Sequence, residues 1–202
     1  MIYSIRLAIT HHYNQPAANS RHLIRVVPKN IPNRQHLQSH LLQLDPKPEE
    51  RFEATDFFGN RQTVCTLPEA HQEMSIRLAC HVQMLQPVSW LDLSPTVPEL
   101  RQAWEKSKDL VAESPLHFLG PTRRLEADKA ITGFAQDLYD PRDSVATNVM
   151  RLGQALHDLM TFDAAATTVD TDAAEAFRLQ RGVCQDFSHI MILGLHALGI
   201  PA

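Results

Sequence analysis

The sequence has no excess of basic residues: 19 Lys and Arg stand against 23 Asp and Glu, a formal net charge of −4. A protein whose affinity comes from neutralising phosphates needs concentrated positive charge, so nucleic acid is not an expected partner. Long apolar runs are missing as well. No window approaches the roughly 18 apolar residues of a membrane span. Met1 to Tyr13 alternates polar and apolar residues instead of presenting a charged segment followed by an apolar core. The expectation is a soluble, cytoplasmic protein with no membrane partner. Cysteine is scarce, and the odd, widely spaced set Cys65, Cys80 and Cys184 is not a disulfide framework. There is no CxxC pair and no HExxH. His11, His12, His36, His40 and His71 fall in loop or strand contexts without ligand spacing, so they read as surface or strand residues and no metal site is expected. No phosphate loop, dinucleotide fingerprint or calcium-loop spacing is present, and no cofactor is expected. Internal repeats and low-complexity tracts are also absent. What remains, 44% hydrophobic and 21% charged residues in 202, is the composition of an ordinary globular chain of one or two domains.

The hydrophobic period changes along the chain. Up to about Pro87 it is two. Tyr3, Ile5, Leu7 and Ile9 share one face of a half-buried strand, and Met74, Ile76, Leu78, Cys80, Val82 and Met84 share one face of another. Cys80 therefore reads as a small core hydrophobe, and Cys65 likewise. Further strands are expected over His22 to Val27, Gln38 to Leu44, Phe52 to Phe58 and Gln62 to Leu67, the last two joined by a hairpin through Gly59-Asn60. The pattern predicts an antiparallel β-sandwich over residues 1–92.

A Pro-punctuated connector follows, from Trp90 to Pro121 (93–120 as a segment), with one helical stretch from Glu99 to Glu113. Over 121–202 the period is helical. Leu125, Ile131, Phe134 and Leu138 mark one helix, and Val145, Val149, Leu152, Leu156 and Leu159 a second, with Asp140-Pro141 between them. Asp172 and Glu175 open a third as a capping box. A fourth begins after Gly182 and ends at Leu198, where Gly199 supplies the left-handed cap. The fold class is thus α+β, an antiparallel β region followed by helices.

The fourth helix carries the candidate chemistry. Cys184 stands in its first turn, where the positive end of the helix dipole favours a thiolate and unpartnered amides, its own included, can donate to an oxyanion. Gly182 just before it leaves room for a substrate backbone. Gln185 belongs to the same first turn. Asp186 is expected to turn its carboxylate to an amide of the helix start or to a cation such as Arg178 or Arg181. His189 lies about 140° around the helix and roughly 7.5 Å along it from Cys184, so it points away from the sulfur. His196 is farther still, and His157 reads as a solvated residue of another helix.

Three runs, Thr168-Val169-Asp170-Thr171, Gly182-Val183-Cys184-Gln185-Asp186-Phe187-Ser188-His189 and Leu198-Gly199-Ile200-Pro201-Ala202, closely resemble the nucleophile segment of the bacterial transglutaminase-like family, within the papain-like thiol superfamily. Ser20-Arg21-His22-Leu23, Asp56-Phe57-Phe58-Gly59-Asn60 and Phe118-Leu119-Gly120-Pro121-Thr122-Arg123 resemble the β-rich N-terminal region and the connector of that family. The resemblance implies a Cys, His, Asp triad that transfers acyl groups through a thioester, acting on a protein or peptide substrate, with hydrolysis of a peptide, isopeptide or amide bond as its expected outcome. Only Cys184 maps onto the triad. The family's His and Asp follow Gly-Ile-Pro-Ala, so the 202 residues are expected to be the N-terminal part of the enzyme and inactive alone. The alternative is a non-catalytic binding module with a degenerate core. A helix as apolar as Phe187 to Leu198 needs a sheet to cover it, and without one association between copies is expected.

Overall fold

In the first part of the chain, alternation of apolar and polar residues becomes strands with one dry face. The computed structural model describes residues 1–85, 91–122 and 124–202, in two compact units, Met1–Trp90 and Leu91–Ala202. The opening of the expected connector at Trp90, and Arg123 of the Phe118-to-Arg123 run, lie outside the described residues.

The first unit holds six strands: β1 (Ile2–Ala17), β2 (Ser20–Ile24), β3 (Gln35–Asp45), β4 (Glu50–Thr55), β5 (Arg61–Leu67) and β6 (His71–Met84). They form two three-stranded antiparallel sheets, ordered β1-β6-β3 and β2-β5-β4. Ile24, Cys65 and Leu67 of one sheet and Leu37, Leu42, Met74, Ile76, Leu78, Cys80 and Val82 of the other bury into a single cluster. Burying apolar area is what holds two such layers together. Cys65 and Cys80 are free thiols inside this cluster, and burial pushes both up from the ordinary thiol pKa. The β4–β5 hairpin turns at Asp56, whose carboxylate accepts from the Asn60 backbone N–H at 2.8 Å, while Gly59 takes a left-handed φ of +77°.

β1, β3, β5 and β6 run longer than the alternation predicts, whereas β2 already ends at Ile24 and β4 at Thr55. β1 also differs in burial. Tyr3, Ile5 and Leu7 oppose Val82, Cys80 and Leu78, so they do face the core side, yet they stay 47%, 39% and 37% exposed. β1 has a neighbour on one side only, so the outer half of its apolar row is incompletely covered.

The second unit contains α1 (Val97–Lys106), a 3₁₀ turn (Pro115–Phe118), α2 (Lys129–Leu138), α3 (Val145–Leu159), the two-residue β7 (Thr161–Phe162), α4 (Ala173–Leu179), the two-residue β8 (Arg181–Gly182) and α5 (Cys184–Leu198). The helix expected over Glu99 to Glu113 is shorter. Glu99 accepts from the Thr96 backbone N–H and hydroxyl, both at 2.8 Å, to start it, and it closes at an extended Ser107. Leu125 lies ahead of α2 but packs on its core. Between α2 and α3, the buried Asn148 side-chain amide donates to the Asp140, Asp143 and Ser144 carbonyls, and its oxygen accepts from the Asp140 N–H at 3.0 Å.

Helices of the second unit cover much of α5. Ile131, Leu156, Met160, Ala173 and Ala176 surround Ile190 and Leu193, and Val97, Ala135, Leu152 and Ile200 surround Leu195 and Leu198. A side chain at Gly194 would meet Leu152 at 3.0 Å and Ala135 at 3.5 Å, so this glycine sets how closely α5 lies on α2 and α3. Of the capping box expected at α4, the structure shows the Asp172 half, its carboxylate accepting from the Glu175 N–H at 2.7 Å. Asp172→Ala is expected to cost about 1 kcal/mol, read as a lower urea midpoint with an unchanged slope.

Candidate active site

The first turn of α5 is where chain geometry, backbone amides and a thiol come together. β7 and β8 pair in parallel, Thr161 with Arg181 and Phe162 with Gly182, which brings the end of α3 alongside the residues that lead into α5. The Asp163 N–H extends the pairing by donating to the Gly182 carbonyl at 2.9 Å, and its carboxylate meets Arg181 Nη2 at 2.9 Å. Arg181 is thereby engaged away from Asp186.

Cys184 is the first residue of α5 and is exposed, unlike Cys65 and Cys80. The Val183 carbonyl accepts from the Asp186 N–H at 2.9 Å and the Phe187 N–H at 3.2 Å. That leaves the amides of Cys184 and Gln185 without a partner inside the helix, facing outward from its positive end. The Ser188 hydroxyl donates back to the Cys184 carbonyl at 2.7 Å, one turn on. A nucleophile atom and two amide donors thus share one helix end, the elements needed to attack a carbonyl and hold its oxyanion.

Asp186 turns toward the backbone, one of the two expected directions. Its Oδ2 accepts from the Val183 N–H at 2.8 Å and from the Thr167 hydroxyl at 2.6 Å, and the side chain is 1% exposed. Its Oδ1 is buried with no hydrogen-bond partner. Gly182 serves a different purpose from the one expected. A Cβ there would lie 2.5 Å from Asp186 Oδ2 and 2.9 Å from Asp186 Cβ and Cγ, so the space is filled by the carboxylate of Asp186 and is not open to a substrate. The half-buried Gln185 reaches the other way, its Nε2 donating at 3.3 Å to the Val169 carbonyl, which also accepts from Arg124 Nη1 at 2.7 Å.

Three histidines of the second unit, His189, His196 and His157, have surroundings other than the thiol. His189 lines a cavity of about 700 Å³ with Arg124, Glu126, Asp128, Asp170 and Asp172, and Cys184 is not among the lining residues. His196 Nε2 lies 2.9 Å from the Phe118 carbonyl at the far end of α5, and His157 is exposed beside Asp158 on α3. Among the described residues, no group of three His, Cys, Asp or Glu is arranged to hold a metal ion. No helix among them is long and apolar enough to cross a membrane. Thr167 and Asp163 are the site residues that the sequence reading passes over. The only local signal is that both sit in the loop just upstream of Thr168-Val169-Asp170-Thr171, with partners 19 and 18 residues farther on.

Known proteins share both units. Residues 3–83 match the bacterial transglutaminase-like N-terminal region, and residues 132–202 match the transglutaminase-like superfamily. Uncharacterized proteins of Mycobacterium bovis and Mycobacterium tuberculosis are each 27% identical over 175 residues, 84% of this chain and 54% of theirs. The chain thus spans about half the length of the curated relatives it matches. The crystal structure of a proposed cysteine protease from Cytophaga hutchinsonii shares the fold with a TM-score of 0.70, over 100% of this chain and 67% of that one, at 19% identity. With the two regions matched in order along one sequence, the chain belongs to the transglutaminase-like superfamily and carries the N-terminal region of its bacterial members.

Proposed function

We propose that the protein is a thiol acyl-transfer enzyme in which Cys184 is the nucleophile. The observation that carries this reading is the position of Cys184: an exposed thiol at the first residue of a buried helix, beside two amides that the helix does not use, in a chain of the transglutaminase-like superfamily. In the reaction, Sγ attacks a carboxamide or peptide carbonyl and the π pair moves to the oxygen, where the Cys184 and Gln185 amides donate to it. Collapse expels the amine, which takes up a proton, and leaves a thioester on Cys184. Water then takes the acyl group, so that the net outcome is hydrolysis of a peptide, isopeptide or amide bond in a protein or peptide substrate. The imidazole that shuttles the protons and the carboxylate that orients it are supplied after Gly199-Ile200-Pro201-Ala202, as the family resemblance implies. The three free cysteines support a reducing, cytoplasmic setting.

The test uses the full-length protein and glutamine-containing peptides, with hydroxylamine as a competing acceptor and hydroxamate as the readout. Alkylation of Cys184 by iodoacetamide is expected to abolish hydroxamate formation. Turnover that persists after Cys184 is fully alkylated would contradict the proposal, whereas a full-length protein that forms no hydroxamate before alkylation would favour a binding module.

A further inference from the structure

We infer that Asp186 and Thr167 are positioning residues that hold the amide of Cys184 in the orientation that binds an oxyanion. The inference rests on the proposed function and adds to it the means by which the loop over 163–171 acts on the nucleophile.

Two peptide planes flank Val183. In the first, the Val183 N–H donates to Asp186 Oδ2 at 2.8 Å. In the second, the Val183 carbonyl accepts from the Asp186 and Phe187 N–H groups. A peptide unit is planar and trans, so fixing that carbonyl also fixes the Cys184 N–H, which points the opposite way in the same plane. Both planes therefore take their orientation from the first turn of α5, and Asp186 reaches both, the first with its carboxylate and the second with its own N–H beside that of Phe187. Asp186 in turn is held through one oxygen. Oδ2 takes the Thr167 hydroxyl at 2.6 Å as well as the Val183 N–H, whereas Oδ1 is buried and unpartnered. No second contact at Oδ1 backs up the hold on the carboxylate, and Gly182 lies close enough that a Cβ there would reach Oδ2 at 2.5 Å. Thr167 itself is set by a loop tied to the same helix end, through Asp163 to Arg181 and to the Gly182 carbonyl, and through the Val169 carbonyl to Gln185. The loop thus acts on the oxyanion donor without touching the sulfur.

Two reactions of the same thiol separate positioning from support of the fold. Acylation by p-nitrophenyl acetate forms an Sγ–C bond, passes through an oxyanion and expels p-nitrophenolate, so it needs the amides. Alkylation by iodoacetamide forms an Sγ–C bond by displacing iodide at a saturated carbon and makes no oxyanion. In the full-length protein, Thr167→Val is expected to slow the acylation burst about tenfold, which corresponds to about 1.4 kcal/mol in the transition state. Alkylation of Cys184 is expected to stay within about twofold, and Thr167→Ser to restore the burst. Asp186→Asn, which keeps an acceptor oxygen but alters the group that holds Val183, serves where Thr167→Val fails to fold; it too is expected to slow the burst several-fold while alkylation of Cys184 stays within about twofold. An unchanged burst in the variant that folds, or an equal loss in both reactions, would overturn the inference. A burst that survives in Cys184→Ala would instead overturn the enzymatic reading on which it rests.

Discussion

Cys184→Ala in the full-length protein is expected to lower hydroxamate formation by about a thousandfold or more, because removing a covalent nucleophile removes the step itself and leaves only binding and oxyanion stabilisation. The size of the effect matters less than its contrast with stability. Cys184 is exposed and its side chain belongs to none of the three buried clusters, so alanine there is expected to move the urea midpoint by no more than about 0.5 kcal/mol in stability. Cys65→Ala and Cys80→Ala should behave in the reverse sense. Both thiols sit in the sheet core, 1% and 3% exposed, so their loss weakens packing and leaves the chemistry in place. A Cys184→Ala protein that keeps its rate, or loses it only together with its fold, would remove the thiol from the mechanism.

Gly182→Ala is expected to cost about 1–3 kcal/mol through overpacking, a large effect for a single methyl group. Nothing in the backbone conformation of Gly182 demands glycine. The obstacle is the Asp186 carboxylate, which stands 2.5 Å from the place the new Cβ would occupy. A flexible side-chain tip could swing away. Asp186 cannot, since its stem is a single carbon on a packed helix and its Oδ2 is held by Val183 and Thr167. The new methyl group therefore pushes the first turn of α5 away from β8, or breaks the Val183 bond. Stability is read from urea unfolding, and the mechanism from a double-mutant cycle. Asp186→Ala removes the contacts with Oδ2 and Cγ and leaves only that with its own Cβ at 2.9 Å, so the two changes together should cost less than their sum. Strict additivity would show that the two residues do not press on each other.

The sequence made some parts of this site legible for definite physical reasons. Cys184 at a helix start, the Asp172 cap and Gly199 at the helix end depend on residues within one turn, where spacing alone determines what meets what. The row Met74, Ile76, Leu78, Cys80 and Val82 was equally readable, because β6 is the central strand of its sheet and its apolar face is covered on both flanks. On β1 the same alternation identified the facing side and overstated its burial, since period reports direction and not how far a second layer extends. Gly182 shows another limit. A glycine before a nucleophile signals a close approach, but the approaching group was Asp186, four residues on, and not a ligand. Thr167 could not be found from pattern at all, because its bond to Asp186 depends on the pairing of β7 with β8, two strands of two residues each.

The most direct measurement is to trap the acyl-enzyme and locate it. Full-length protein is mixed with p-nitrophenyl acetate, quenched in acid at the end of the burst, digested and mapped by mass spectrometry. The expected result is a single acetyl thioester on Cys184, absent from Cys65 and Cys80 and lost on treatment with hydroxylamine. An acetyl group that sits elsewhere, or a burst that leaves Cys184 unmodified, would contradict the assignment of Cys184 as the nucleophile.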